Sequence, residues 1–189
     1  MKINGLILAA GESKRLGKIK QLLLHQQTPL LTHAQNQLNS LCSQVFVVLG
    51  AHHQTIQRSI KISNPIINKN WKAGIGSSLS IGAKEAQTDA DGILICLSDQ
   101  PLIPNAHFTS LVNTFKLNPK NIVASKYNNS FGVPAIFPPS IYEELCTAEQ
   151  QDKGAKSIIY KHTTLVLSSV CDEAALDIDT INDLSLLNH

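Results

Sequence analysis

The sequence predicts an α/β protein of three layers, α/β/α, with a mostly parallel, Rossmann-like sheet. Two observations carry that expectation. Short runs that are apolar on both faces, such as "LILAA" and "ILICL", alternate with stretches of helical period. The first run then breaks into a glycine-bounded basic loop, "GESKRLGKIK" (Gly11–Lys20), at the strand end where open α/β sheets bind ligands.

The elements follow in order. "NGLILAA" reads as a buried strand, and "TPLLTHAQNQLNSL" as a helix with Thr28 as N-cap and Pro29 in its first turn. "SQVFVVLG" is the next strand, followed by a helix from His53 to Ile60 and a short strand in "NPIINK". "SSLSIGAKEAQ" predicts a helix capped by Ser77 or Ser78. "DGILICLSD" is a strand, "NAHFTSLVNTFK" a helix and "NIVASKY" a strand. Pro134 in "VPAIFP" argues for an edge strand or a strand start. "PPSIYEELC" and "KGAKSIIYKH" predict helices, "TTLVLSS" a strand and "TINDLSLL" a closing helix. No repeat, low-complexity tract or linker divides the chain, so residues 1–189 are read as one domain.

Bulk composition narrows the function classes. A net charge of +2 over 189 residues is too small to argue for nucleic acid or an anionic membrane as partner. No apolar run has the length of a membrane span, and the N-terminus lacks the apolar core of a signal peptide. Cys42, Cys96, Cys146 and Cys171 form no metal-spaced pair and read as small buried hydrophobes. A cytoplasmic, thiol-reduced protein is the expectation.

The first loop fails two familiar patterns. A P-loop needs four residues between its glycines and Lys-Ser/Thr after them; here the interval is longer and Lys18 precedes Ile19. The dinucleotide fingerprint lacks its third glycine, both here and in "GIGSSL", where Leu79 takes its place. The loop's chemistry survives. Gly11 and Gly17 let the backbone approach an anion, Arg15 can grip an oxyanion bidentately, and Lys20 adds a point charge. A solvated basic turn is the competing reading.

Asp99, in "ILICLSDQPLI", follows a buried strand and can hold a hard cation such as Mg²⁺, or serve as a turn residue. Asp177 and Asp179 in "ALDIDTIND" can complete such a metal site; Asp179 or Thr180 can instead cap the closing helix.

Together, "LAAGESKRLGKIKQLL", "INKNWKAGIGSSLSIGA", "LSDQPLI", "GVPAIFP", "DKGAKSII" and "DIDT" resemble the MobA-like nucleotidyltransferases. Within that family the resemblance is to the molybdopterin cytidylyltransferase branch, and it spans nearly the whole chain. It implies a nucleotidyltransferase fold and Mg²⁺-dependent transfer of a nucleoside monophosphate from an NTP. It further implies that Leu8, Ala9, Ala10 and Gly11 line base and ribose through main-chain contacts. Arg15 and Lys20 would meet the triphosphate beside Gly17, and Asp99 would hold metal. Asn68, Gly74, Ser77 and Ser78 match a second nucleotide-binding loop, and "GVPAIFP" the acceptor side.

Alanine at position 10, where guanylyl-transferring relatives have glycine, favours CTP, because a methyl crowds a purine more than a pyrimidine; ATP-like donors stay open. The implied acceptor is molybdopterin, with a molybdenum enzyme as a possible recipient of the product. Leu16, Lys69 and Lys156 stand where the family has methionine, proline and arginine, and "YNNSF" is poorer in glycine than its counterparts. The rival readings are another phosphate acceptor (a sugar or alcohol phosphate), an oxidoreductase related to a nicotine-degrading enzyme, and a non-catalytic cofactor carrier or regulator.

Overall fold

The computed structural model describes residues 1–150 and 154–188; Asp152 and Lys153 of the "DKGAKSII" stretch lie outside them. Strand β1 (Ile3–Ala9) is buried along its whole length, as its two-sided apolar sequence requires. A two-residue ribbon, β2 (Leu24–His25) with β3 (Thr28–Pro29), leads into α1 (Leu30–Asn39). Then follow β4 (Gln44–Leu49), α2 (His53–Ser59), β5 (Pro65–Ile67), α3 (Ile75–Ala86) and β6 (Gly92–Leu97). The second half contains α4 (Asn105–Leu117), β7 (Ile122–Tyr127), β8 (Ser130–Phe137), α5 (Tyr142–Cys146), α6 (Ala155–Lys161) and β9 (Val166–Val170).

Seven strands form one sheet in the order β5-β4-β1-β6-β8-β7-β9. Only β8 runs against its neighbours, β6 and β7; the other pairings are parallel. Alternation along β1 splits the core into two layers. Ile3, Ile7 and Ala9 face a cluster containing Leu31 and Leu38 of α1, Ile56 of α2 and Phe108 and Phe115 of α4. Leu6 and Leu8 face Leu79 and Ala83 of α3, Leu145 of α5 and Ile158 of α6. The three-layer architecture is therefore as the sequence predicts. Among the described residues, no helix is long and apolar enough to cross a membrane.

Several local expectations are corrected. Thr28 and Pro29 pair in the β2–β3 ribbon rather than capping and opening a helix, and α1 starts at Leu30. The next helix starts at Ile75 with Gly74 as its cap, two residues before the predicted serines. Ser77 donates instead to the carbonyls of Asn70 and Gly74. Pro134 sits in an interior strand. The β7 pairing shifts there, from Ala124 opposite Ala135 to Ser125 opposite Gly132, so its missing N–H removes no regular ladder bond. At the start of the last helical segment Asp183 N donates to the carbonyl of Thr180 at 3.2 Å, and Asp183 Oδ2 accepts from the main-chain amides of Asp179 and Thr180, at 3.0 and 2.7 Å. His53 opens α2, and His25 and His107 are buried. His107 Nε2 lies 2.8 Å from Ser125 Oγ, which donates to the carbonyl of Pro134. The hairpin between β7 and β8 turns on Asn128 and Asn129, both with positive φ, which asparagine accepts more readily than most residues.

Helix α3 lies close to the sheet because its buried face is built of glycine, alanine and serine. A methyl on Gly82 would come within 2.6 Å of Leu6 Cδ1 and 2.7 Å of Val48 Cγ2, both in the sealed core. The substitution Gly82→Ala gains about 1 kcal/mol of helix propensity against an overpacking cost of about 1–3 kcal/mol. We expect a net loss of stability with the fold retained, measurable by urea denaturation as a lower midpoint at unchanged slope.

Candidate active site

The carboxyl ends of β1, β4 and β6 frame the site. After Ala9 the chain turns into the first loop, where Ser13 accepts main-chain bonds from Leu16 and Gly17, both 3.1 Å. Leu16 is buried and anchors the loop, and Gly17 takes φ +68°, a left-handed conformation suited to glycine. Gln21, buried in the following 3-10 turn, donates to the carbonyls of Ala9 (2.8 Å) and Gly11 (3.3 Å). Ala51 N donates to the carbonyl of Ala10 at 3.2 Å, and His52 Nε2 lies 3.1 Å from that of Glu12. Protein groups thus engage four successive carbonyls, which reduces the acceptor character that this loop can present to an anion.

A cleft of about 340 Å³ opens over this loop. Leu8, Ala9, Ala10 and Gly11 line it, with Lys20 and Asp99 on the β6 flank and Gly74 and Ser78 from the start of α3. Gly17, Asn68 and Ser77 are not among its lining residues. Asn68 and Ser77 form part of the wall of a separate hollow behind the second loop. There Asn68 Nδ2 donates to Ser77 Oγ and Ser78 Oγ, both at 2.9 Å. These two residues hold the second loop in place. Glu12, Gln21, Trp71 and Lys72 also line the cleft. Sequence reasoning missed all four, since a lone tryptophan and a glutamine belong to no spacing pattern.

Lys20 is the electrostatic centre. Its ammonium donates to Asp99 Oδ2 at 2.5 Å and to Asp179 Oδ1 at 2.6 Å, and Arg15 donates to Asp179 Oδ2 at 2.8 Å. Two cations and two anions alternate. Burial pulls the Lys20 pKa down, but Asp99 and Asp179 outweigh it and hold the pKa above that of an ordinary lysine. Asp179 reaches the site because Ile178 N donates to the carbonyl of Asp99 at 2.9 Å and the Ile178 side chain is fully buried.

Asp177 takes a different position. Gln100 Nε2 donates to its Oδ1 at 2.9 Å, and both residues line a second hollow of about 230 Å³, with Tyr127, Val133 and Lys156. Leu8, Ile75 and Leu97 border both spaces. Although Asp177 is exposed by area, its carboxyl is crowded by protein. Desolvation first, then Asp99 and Asp179, push its pKa up to about 6.

Among the described residues, no group of three or more His, Cys, Asp or Glu side chains is arranged to hold a metal. Two carboxylates that share one ammonium are present, and Asp99 Oδ1 is buried without a hydrogen-bond partner. Such a donor set fits Mg²⁺, which keeps several waters and uses one or two carboxylates together with substrate phosphates. The four cysteines are free thiols; burial pushes Cys42 up to about 12 and Cys96 higher still, which suits packing rather than nucleophilic chemistry.

Comparison with known proteins gives a consistent picture. Residues 5–165 match the family model of the MobA-like NTP transferase domain. The chain is 26% identical to nicotine blue oxidoreductase of Paenarthrobacter nicotinovorans, covering 96% of this chain and 94% of that protein. It is 28% identical to the purine catabolism protein PucB of Bacillus subtilis, over 82% of this chain and 79% of the relative. The crystal structure of Rv0371c from Mycobacterium tuberculosis superposes with a TM-score of 0.84 at 24% identity, covering both chains fully. The same mycobacterial protein is also known in complex with manganese, with a TM-score of 0.80, 24% identity and coverage of 99% of this chain and 98% of that one.

Two outcomes follow from the electrostatics. Lys20→Met leaves Asp99 without its cation and Asp179 with Arg15 alone, which costs about 2–4 kcal/mol. Adding Asp179→Asn to that variant should return part of the loss, read as a coupling in a double-mutant cycle of denaturation free energies. Because the folded-state pKa of Asp177 is raised, the unfolded state ionises first as pH climbs from about 4 to about 6. Stability falls through that window and the penalty persists above it. Asp177→Asn should therefore raise stability at pH 7.5 by less than about 1 kcal/mol given its exposure, read as a higher melting temperature, and leave it unchanged below pH 4.

Proposed function

The chain belongs to the MobA-like NTP transferase family, and from that premise we propose that it transfers CMP from CTP to molybdopterin, releasing pyrophosphate. The observation that carries the reading is the Lys20 ammonium shared by Asp99 and Asp179 beside a loop whose carbonyls are engaged within the protein. An anionic donor meets amide and lysine charge there, and a divalent cation meets carboxylates.

In this reaction a terminal phosphate oxygen of the acceptor attacks the α-phosphorus of CTP. The new P–O bond forms as the bond to the β-phosphate breaks, and pyrophosphate leaves with the electron pair. The acceptor phosphate is already ionised, so no general base is required. Arg15 and Lys20 neutralise the charge that builds on the α-phosphate and on the departing pyrophosphate. Asp99 and Asp179 would hold Mg²⁺, which supplies Lewis-acid neutralisation of the donor phosphates when bound. Asp177 then belongs to the acceptor side with Lys156, Tyr127 and Val133. CTP is preferred because the Ala10 methyl crowds a purine, an effect worth about 1–3 kcal/mol.

The name of the Paenarthrobacter relative motivates one rival, oxidoreduction. The lack of a dinucleotide fingerprint in either glycine loop weighs against it. The deciding experiment measures pyrophosphate release with Mg²⁺ and each of CTP, GTP, ATP and UTP, with and without molybdopterin. We expect release with CTP only when molybdopterin is present, falling at least about 100-fold in Asp99→Ala. Binding of CTP and molybdopterin without release from any nucleotide would instead support a carrier or regulator, and oxidation of NADH or NADPH would support the rival.

A further inference from the structure

We infer that Trp71 is the base-facing wall of the nucleotide cleft and, with Gly50, sets which base the cleft accepts; this rests on the nucleotide-binding reading above. Strand order locates it. Ala10 leaves β1, which lies between β4 and β6. Asp99 and Lys20 stand on the β6 flank, while Gly50 leaves β4 on the other. Trp71 belongs to the Gly50 flank. A methyl placed on Gly50 would lie 2.5 Å from the Ala10 carbonyl oxygen, 2.7 Å from Trp71 Cβ and 2.9 Å from Ala10 Cβ. Ala10, Gly50 and Trp71 therefore form one contact layer with no space for another carbon at Gly50, on the flank of the cleft opposite Lys20 and Asp99.

The segment that carries the tryptophan is held there by hydrogen bonds to its main chain. Asn68 N donates to the carbonyl of Leu49 at 2.8 Å, and Asn70 N donates to Asn68 Oδ1 at 2.8 Å. Ser77 Oγ donates to the carbonyl of Asn70 at 3.0 Å, and Gly74 N to that of Trp71 at 3.2 Å. Asn68 and Ser77 thus serve the site by fixing the segment that carries the indole. The side chain is half-buried, lines the cleft, and has the Lys72 ammonium over its ring, 5.5 Å from the centroid. A flat, partly open aromatic surface beside a close-packed floor is built to stack a planar ring. The Ala10 methyl limits the depth available to that ring, and the glycine at position 50 keeps Trp71 drawn against it.

Because the chain has a single tryptophan, its emission reports on this wall alone. CTP is titrated in Mg²⁺ buffer while emission is recorded, with calorimetry run in parallel. We expect a saturable emission change whose midpoint matches the calorimetric one. Trp71→Phe should bind CTP within about threefold of wild type, and Trp71→Ala about tenfold more weakly with a narrower preference for CTP over GTP. Gly50→Ala should also weaken CTP about tenfold and shift the emission maximum of the free protein. Calorimetric CTP binding with no emission change, and unchanged affinity in Trp71→Ala, would overturn the inference and leave the proposed reaction standing. Emission that tracks the binding of GTP or ATP but not CTP would uphold the wall and overturn the choice of CTP. No heat and no emission change with any nucleotide would overturn both.

Discussion

The ammonium of Lys20 between Asp99 and Asp179 is the interaction on which the site's geometry turns. It joins chain segments separated by 79 and 159 residues, the first loop to the end of β6 and to the C-terminal segment. Three groups that would otherwise be costly to bring together become mutually compensating once they alternate in sign. The loop's shape follows from the same need. Lys20 reaches the carboxylates from a 3-10 turn whose next residue, Gln21, ties down the carbonyls of Ala9 and Gly11. The residue that balances charge and the residue that orients the loop are neighbours in sequence.

Much of this was legible in the chain. Buried strands announce themselves by apolar runs such as "ILICL", and an acid placed between such a run and a proline, as Asp99 is, marks a strand end with unusual chemistry. What the sequence hides is partnership across distance. Nothing local distinguishes Asp179, which meets Lys20, from Asp177, which meets Gln100; both flank the buried Ile178, and only the partners that the fold brings to each carboxylate separate them. The misread elements have a common cause. Thr28-Pro29 and Ser77-Ser78 both carry the signature of a helix start, but pairing with Leu24-His25 claimed the first and the Gly74 turn moved the second. Propensity describes what a segment prefers alone, and tertiary contacts decided both cases.

The two helical layers divide the work unequally. The layer of α1, α2 and α4 packs large side chains, Phe108 and Phe115 among them, and contributes bulk. The layer containing α3 is made of small residues near the site, which lets a helix start, Gly74–Ser78, come down onto the edge of the sheet. Close packing there is a positioning device. Gly82, under α3, and Gly50, against Ala10 and Trp71, admit no further carbon.

The reversed direction of β8 has a consequence for how the molecule can vary. Because β8 runs against β7, the two are joined by a tight hairpin at Asn128-Asn129 rather than by a crossover helix. That hairpin stands on the same side of the sheet as the hollow lined by Tyr127, Gly132 and Val133. A hairpin tip can be lengthened or recomposed without disturbing the register of the strands beneath it. The walls of the larger cleft, by contrast, are stitched from residues 8–21, 50, 68–78, 99 and 179, which lie far apart in sequence. If the proposed reaction holds, one fold keeps a fixed donor socket beside an interchangeable acceptor fitting, and a new acceptor can be acquired through a few consecutive codons.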